Sequence, residues 1–384
     1  NLYVKSRKEW ADLIRAEHER LPKGVWLTGG SWDHTIIDDK LPTRQFLDEI
    51  VGDRPVILTH IDGHFVWVSS AVLKMAKVTA KSPVPPGGVI ELDPVTGEPT
   101  GILKEGAVDL VRGLVPRPTD KERFASLPKA INYANSLGIT GMHNMTSYDD
   151  WLHVLQQGKL TMRMWHGFFG GFDPANDPMR RGSATMAERV ANLKAEQARV
   201  RSLVNATGFQ QKVGPLFDLG FVKLINDGVL SVHTAVLLEP YRDRASSTGQ
   251  WFVEPKELAN TVRALSSEGM QIAIHSIGDG AVRASLDAYE SAKDVNRSLL
   301  PMRIEHVELL SKQDLPRFAK LNVVASMTPN HMTKAVAYIE ERIEPARESR
   351  AYTWQALLQS GAQVMFGADG TTSPAASTIG SASR

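Results

Sequence analysis

Residues 270–280, MQIAIHSIGDG, constrain the fold of this chain more than any other stretch. An apolar run ends in His275 and a small polar turn follows, as in a buried strand that carries an imidazole at its C-terminal end. Pro255 at a first helical turn and Gly269 at a C-cap position predict a helix before the strand. Asp279 can cap a second helix after it. This alternation of helices and strands is typical of a parallel sheet.

Short apolar runs of the same kind recur before and after this stretch, and each ends on a polar side chain. A parallel barrel brings the C-terminal ends of its strands to one face, so we expect these side chains to converge. One histidine at a strand end is more often an ordinary core residue, but two of them with a terminal aspartate favour a site. The predicted fold class is α/β: a (β/α)8 TIM-type barrel, complete or incomplete, with an inserted β-rich lobe. The residues expected to converge are Lys223, His275, His306 and Asp369.

The chain is predicted to have four segments. Residues 1–23 form the helix of an incomplete first βα unit. Residues 24–117 are short β-prone runs between Gly and Pro turns, which is typical of a lobe inserted over the barrel mouth. The βα pattern of the barrel covers residues 118–370. Residues 371–384 are small, polar and aperiodic, which indicates a poorly ordered tail.

Aromatic and histidine side chains are concentrated in the predicted lobe. We expect Trp32, His64 and Trp67 to line a pocket mouth and to contact a substrate. For the tryptophans, the sequence is equally compatible with a small core of the lobe itself. Asp227 follows the run that contains Lys223, and it is predicted to contact the substrate as well.

Composition limits the classes of function. The 384 residues, 42% of them hydrophobic, are enough for one barrel and an insertion. A formal net charge of +1 gives no electrostatic case for binding nucleic acid or an anionic membrane. Without cysteines, disulfides, thiolate metal ligands and a cysteine nucleophile are excluded. We expect a small-molecule substrate, no nucleic-acid partner, no membrane partner and a cytoplasmic location.

Several passages, taken together, carry a family resemblance. In this order and spacing they resemble the amidohydrolase superfamily, specifically its YtcJ-like branch (amidohydrolase family 3), over essentially the whole chain. The resemblance implies a (β/α)8 barrel that holds one or two divalent metals, commonly zinc, at its strand ends. These metals activate water to hydrolyse C–N bonds in amide-like substrates. The passages are GGSWD, RPVILTHIDGHFVWVSS, TGEPTGILKE, GITGMHNM, VKLINDGVLSVHTA, IAIHSIGDGAV, RIEHVEL and FGADGTTSP.

The resemblance also implies roles for individual residues. His275 and His306 match the histidine ligands of the fifth and sixth strands. Lys223 matches the lysine that bridges two metals when it is carboxylated. Asp369 matches the aspartate of the eighth strand, which ligates metal and shuttles the proton. The family's His-x-His pair on the first strand has no counterpart in this sequence, so we expect that the first strand and the terminal β segments are missing from it.

The residue types suit that chemistry. Neutral imidazoles bind zinc, a carboxylate adds an anionic ligand, and water in an open position has its pKa lowered to about 7. A lysine ammonium cannot bind a cation, whereas a carboxylated lysine offers two oxygens. An ordinary ion pair of Lys223 with Asp227 or Asp369 is the alternative. Ionised Asp369 can accept the proton of the water and pass it to the leaving nitrogen.

Three functions are compatible with the sequence. The first is a metal-dependent hydrolase that cleaves a C–N (amide-like) bond of a small molecule. The second is a degenerate, non-catalytic barrel, and the third is an esterase or lactonase on the same site. Without the His-x-His pair, one metal position keeps two protein ligands, so we expect at most about one tightly held ion, centred on His275 and His306. His143 and His166, near two other strand ends, are ranked below these ligands.

Overall fold

The structure is a computed structural model, which describes residues 2, 4–35, 37–61, 63–85, 87–116, 119–145, 148–169, 185–208 and 216–369. The chain divides into two compact units, Asn1–Arg117 and Pro118–Arg384. This division lies where the sequence predicts the βα pattern to begin. The predicted tail, residues 371–384, lies outside the described residues. Within the described ranges, every helix is too short or too polar to traverse a lipid bilayer.

The first unit is built on a five-stranded sheet with the order β1-β2-β3-β5-β4. Only the β1–β2 pair is parallel among the described strands of this sheet; the other neighbours are antiparallel. Its strands are β1 (Leu27–Trp32), β2 (Val56–His60), β3 (Phe65–Val68), β4 (Val89–Leu92) and β5 (Pro99–Lys104). Its helices are α1 (Arg7–Arg20), α2 (Arg44–Val51), α3 (Ser70–Ala76) and α4 (Asp109–Arg112).

The N-terminal helix α1 packs in the first unit. Ser6 caps it by accepting a hydrogen bond from the backbone N–H of Glu9. Trp10 on its apolar face is fully buried, with its ring centroid 6.0 Å from that of Trp32 and 5.7 Å from that of Trp67. The helix therefore contributes to the core of the five-stranded sheet. Its derivation from a first βα unit of the barrel stays a prediction.

The second unit contains a seven-stranded parallel sheet with the order β12-β11-β10-β9-β8-β7-β6, so each strand lies beside its neighbour in sequence. The strands are β6 (Gly141–Asn144), β7 (Arg163–Phe169), β8 (Phe217–Ile225), β9 (Gln271–Ser276), β10 (Arg303–His306), β11 (Val324–Met327) and β12 (Val364–Phe366). The helices are α5 (Asp120–Ser136), α6 (Tyr148–Gln156), α7 (Met186–Ala206), α8 (Pro255–Ser267), α9 (Asp279–Ser291), α10 (Leu315–Leu321), α11 (Pro329–Arg342), α12 (Pro345–Glu348) and α13 (Trp354–Gln359).

Contacts between distant strands show that this parallel sheet curls. In a flat sheet, β6 and β10 would be four strand spacings apart, roughly 19 Å. Nevertheless, the guanidinium of Arg303 in β10 donates a hydrogen bond to His143 Nδ1 in β6, and it lies 4.5 Å from the ring centroid of Phe221 in β8. The described strands thus form a curled half-barrel with β6 and β12 at its edges. The predicted α/β fold with a separate β-rich sheet is confirmed.

Burial of the central strands fixes where the core lies. Every residue of β9, β10 and β11 is buried, as expected for a parallel sheet covered on both faces. Leu258, Val262 and Leu265 of α8 are buried in the same core, and Pro255 begins that helix as predicted. The cap of α9 differs from the prediction, because Gly278 is the N-cap residue and Asp279 is the first helical residue.

Candidate metal centre

Two imidazoles lie side by side at the ends of adjacent parallel strands. His275 and His306 are both buried, and their ring centroids are 4.5 Å apart. The register of β10 on β9 places Glu305 opposite His275. His306 then turns away from the strand with a positive φ of 75°, a left-handed conformation that is uncommon for residues other than glycine. The parallel register and this turn together bring the two rings into contact.

Two further ligand-type side chains join His306, and neither is among the four residues expected to converge. His331, in the first turn of α11, stacks on His306 with ring centroids 5.5 Å apart. Its Nδ1 is 2.8 Å from Glu308 Oε1. One ligand atom from each of His306, Glu308 and His331 lies within 4.8 Å of the other two. The available signals were the His-x-Glu spacing of residues 306–308 and the histidine that ends the run NVVASMTPNH.

Asp369 lies beside this group, beyond the end of β12. Its Oδ2 is 3.4 Å from His331 Nε2 and 3.9 Å from His306 Nδ1. Its side chain is 49% exposed, whereas those of His306 and Glu308 are buried. The cluster therefore has a carboxylate on its solvent side that is open to an incoming molecule.

Lys223 in β8 lies deep in the half-barrel. A cavity of about 1290 Å³ is lined by Lys223, Glu305, His306 and Asp369 among other residues. Burial lowers the pKa of the Lys223 ammonium, and the negative charges of Glu305 and Asp369 act in the opposite direction. Glu305 also forms a buried ion pair with Arg303, with 3.0 Å between Oε1 and Nε. The lysine thus faces the same cavity as His306 and Asp369, and its ammonium loses a proton more readily than that of an exposed lysine.

Asp227 is close to His275 but has a different environment from the one predicted. It is completely buried. Its carboxylate accepts hydrogen bonds from the backbone N–H groups of Val236, Ile277 and Gly278 at 2.8, 3.0 and 2.9 Å. Burial raises its pKa to about 7, while these three bonds lower it. A substrate-binding role does not fit, because the carboxylate has no accessible surface and holds two loops together.

The tryptophans of the first unit also differ from the prediction. Trp32 and Trp67 are fully buried, and their indole N–H groups donate to the carbonyls of Leu58 and Thr43, both at 2.9 Å. With no exposed surface they fit the alternative interpretation, the core of the lobe itself, and not a pocket mouth. His64 differs from them: its side chain is 20% exposed, and its Nδ1 is 2.9 Å from Glu105 Oε2. Its contact with a substrate stays a prediction.

His143 and His166 lie outside the cluster. Burial, helped by the charge of Arg303, lowers the pKa of His143 to about 4. His166 is packed between Phe217 and Trp151, with ring centroids 4.6 and 6.5 Å away, and burial lowers its pKa to about 3. His143 nevertheless lines the same cavity as Lys223, His306 and Asp369.

The donor set of this group fits a divalent metal. Imidazole nitrogens and carboxylate oxygens are the ligands that zinc takes in the absence of cysteine. His275 Nε2 is 3.0 Å from the carbonyl oxygen of Gly228. Since that oxygen can only accept a hydrogen bond, Nε2 carries the proton and Nδ1 is the nitrogen whose lone pair could bind a metal. Such a carbonyl partner is typical of metal-binding histidines.

Comparison with known proteins places the chain in a family. Residues 1–382 match the model of the Amidohydrolase family. The chain is 30% identical over 375 residues to Protein LONG AFTER FAR-RED 3 of Arabidopsis thaliana, covering 95% of this chain and 61% of that protein. It is also 30% identical over 375 residues to the putative amidohydrolase YtcJ of Bacillus subtilis (strain 168), covering 96% of this chain and 66% of the relative. The chain thus spans less than two thirds of the length of either relative.

A solved structure shares the fold. An uncharacterized metal-dependent hydrolase from Pyrococcus horikoshii OT3 superposes with a TM-score of 0.65 at 24% identity, covering 97% of this chain and 67% of the other. The resemblance to the YtcJ-like branch that the sequence passages indicated is confirmed. This chain belongs to the Amidohydrolase family.

Proposed function

We propose that this chain provides the metal centre of a hydrolase that cleaves a C–N, amide-like bond of a small molecule. The observation that carries the proposal is the convergence of His275, His306, His331, Glu308 and Asp369 at the ends of parallel strands. Membership of the Amidohydrolase family supports the type of reaction. The activity of the whole protein is part of the proposal, because the chain spans 61% and 66% of its two curated relatives.

His275 and His306 are the residues that we assign to hold a divalent metal, with zinc as the expected ion. A bound zinc ion supplies Lewis acidity and lowers the pKa of a water ligand towards about 7. Glu308 Oε1 accepts a hydrogen bond from His331 Nδ1–H at 2.8 Å. This bond orients the Nε2 of His331 towards Asp369, 3.4 Å away. Asp369, with half of its side chain exposed, can accept the proton of a water and later deliver it to the leaving nitrogen.

Lys223 is proposed to add an anionic ligand. Because burial lowers its pKa, a larger fraction of Lys223 is in the neutral amine form than for an exposed lysine. Its nitrogen can then attack carbon dioxide, which forms an N–C bond and releases one proton to give a carbamate. The carbamate has two oxygens that can bind metal, whereas the ammonium form has none. The alternative is an ordinary ion pair in which Lys223 stays protonated near Glu305 and Asp369.

The proposal can be tested by metal analysis combined with activity. The full chain is dialysed with zinc, freed of loose metal, and compared with the His275→Ala/His306→Ala variant and with the control His153→Gln. His153 lies on α6, where its Nε2 is 2.9 Å from the side-chain nitrogen of Gln157. We expect the double variant to lose about one zinc equivalent relative to the wild-type chain and the control. A catalytic zinc typically has three protein ligands, and this variant removes two of them.

Activity is measured on matched amides, esters and lactones with the same acyl group. Hydrolysis of the amide that requires zinc and is lost in the double variant supports the proposal. Turnover of esters or lactones alone would change the assigned bond. Unchanged zinc content in the folded double variant would contradict the assignment of the metal ligands. Lys223→Met is expected to reduce metal retention, and added bicarbonate should increase retention in the wild-type chain alone if the carbamate forms.

A further inference from the structure

We propose a second divalent-metal site in the first unit, formed by Asp33, His34 and His60. One ligand atom from each of the three lies within 4.8 Å of the other two. All three residues are at least 96% buried, with exposures of 3%, 3% and 4%. No residue of this group belongs to the cluster at the ends of β8–β12, so the two groups can be changed by separate substitutions.

The parallel pair β1–β2 delivers two of these ligands. In its register Trp32 lies opposite His60, and Asp33 is the next residue after β1. Both strands run in the same direction, so their C-terminal ends carry the carboxylate and the imidazole to the same edge of the sheet. The approach of the two strands requires Gly30, where a Cβ atom would lie only 2.0 Å from the carbonyl oxygen of Thr59.

A tight turn places the third ligand. After β1, the carbonyl oxygen of His34 accepts hydrogen bonds from the three successive backbone N–H groups of residues 37–39, at 3.1, 3.2 and 3.0 Å. This fixes the backbone at His34 and returns Asp39 towards its ring. Asp39 Oδ1 is 3.8 Å from His34 Nε2, with a side chain that is 36% exposed. It can therefore supply a fourth ligand from the solvent side, completing the number that is usual for a structural zinc.

Aromatic packing holds both imidazoles. The His60 ring stacks on Phe65 with centroids 4.0 Å apart and an interplanar angle of 19°. Trp32 lies edge-on to His60 at 4.8 Å and near His34 at 6.1 Å, and the two histidine rings are 5.4 Å apart. Because their orientations are set by packing, little side-chain freedom remains to be lost when a cation binds.

The charge balance of Asp33 favours a cation here. Its Oδ1 accepts hydrogen bonds from the backbone N–H and hydroxyl of Thr35 at 3.0 and 2.7 Å. Within the described part of the chain, no lysine or arginine pairs with it, and the imidazole of His60 lies nearby, with 3.9 Å between Oδ1 and Nε2. Buried carboxylates are normally paired or bound to metal. Two ligands on one tetrahedral zinc are roughly 3.4 Å apart, so a small inward movement is enough.

The chemistry of two imidazoles and carboxylate oxygens selects zinc and neighbouring transition metals over calcium or magnesium. Since His60 ends β2, and Asp33 and His34 directly follow β1, a bound ion would cross-link the ends of these two strands. The inferred role is therefore structural: the ion stabilises the first unit.

The test uses the full chain, with Zn²⁺ for retention and Co²⁺ as a spectroscopic probe. The variants are His60→Gln and Asp33→Asn, which keep size and polarity, with His153→Gln as the control and His275→Ala/His306→Ala as the reciprocal variant. We expect each of the two single variants to lose about one zinc equivalent. Each should also bind Co²⁺ at this site at least about 100-fold more weakly, because changing a residue that only supports a ligand already costs about 10- to 100-fold in metal affinity. The reciprocal variant should keep that equivalent and its Co²⁺ absorption bands.

A second readout is thermal stability. Zinc should raise the Tm of the wild-type chain, the control and the reciprocal variant. The rise should be smaller than wild type in His60→Gln and Asp33→Asn, where only the barrel cluster is left to bind zinc. The proposal is overturned if both single variants are folded by circular dichroism and retain the wild-type zinc content and zinc-dependent Tm. Because the reciprocal variant reports on the barrel cluster separately, failure of one site is distinguishable from failure of the other.

Discussion

The buried imidazole of His166 should make the second unit sensitive to acid. The ring is fully buried, packed on Phe217, and its Nδ1 is 3.0 Å from the side-chain amide nitrogen of Asn144. That amide can only donate, so Nδ1 must accept and the ring is neutral. Burial accordingly lowers the pKa of His166 from 6.5 to about 3 in the folded chain. If Nδ1 were protonated in the folded chain, its N–H would face the N–H of the Asn144 amide, and both groups are hydrogen-bond donors.

The sign and the size of the effect follow from proton linkage. The unfolded chain binds the proton more tightly, so the contribution to stability is complete above pH 6.5 and is lost as the pH falls towards 3. Between pH 7 and pH 5 the loss from this one residue is about 2 kcal/mol, at 1.36 kcal/mol for each unit of pKa difference.

The assay is urea denaturation of the full chain at several pH values between 7 and 5. His166→Gln removes the titrating ring, so its free energy of unfolding should fall by about 2 kcal/mol less than that of the wild-type chain over this range. Leu155→Ala is the matched control: it opens a cavity in the same core and lowers stability at every pH without changing the pH dependence. If His166→Gln and wild type have the same pH dependence, the buried neutral imidazole is refuted.

Two substitutions test other buried charges. The carboxylate of Asp279 pairs with Arg347 Nη2 at 3.1 Å, and Arg347→Met removes this cation. The free energy of unfolding, measured by urea denaturation, should fall by about 3–5 kcal/mol. A double variant that also replaces Asp279 by Asn should recover part of the loss. Asp227→Ala leaves three buried backbone N–H groups without an acceptor and should cost at least about 3 kcal/mol, whereas a change in KM at unchanged stability would restore the substrate-binding role.

The residues whose proximity can be predicted from the sequence are those at the ends of the parallel strands. His275 and His306 end consecutive buried runs, and in a parallel sheet such ends lie at one edge. Strand order and register place the two residues side by side, and the positive φ of His306 then brings their rings into contact. Lys223 and Asp369 line the same cavity as His306 for the same reason.

Residues placed by turns were harder to find. Glu308 reaches the cluster only because His306 and Val307 both adopt positive φ angles, 75° and 48°, which no hydrophobic period encodes. His331 arrives from the first turn of a helix, where its direction depends on how that helix starts. The tryptophans are a different case: their type fits a pocket as well as a core, and tertiary packing, including that of Trp10 from α1, decides between the two.

Asp227 shows why a polar residue after a strand is ambiguous. Such a carboxylate can face a ligand, or it can accept N–H groups from the loops that follow the strand ends. At this position three backbone donors surround it, and one of the loops supplies Gly228, whose carbonyl accepts from His275. The residue thus helps to position His275, a proposed metal ligand, through contacts with residues 9 to 51 positions away in sequence.

Both candidate metal groups lie where the C-terminal ends of adjacent parallel strands meet, although the two sheets differ in other respects. In the half-barrel every strand pair is parallel, so ligands accumulate at one edge from several strands. In the five-stranded sheet the described strands include a single parallel pair, β1–β2; antiparallel neighbours place their C-terminal ends at opposite edges and cannot gather ligands in this way. Asp33 and His60 lie at the one position in that sheet where two C-terminal ends meet. A ligand cluster at this point is therefore what strand direction predicts, and its metal content can be measured separately from that of the barrel.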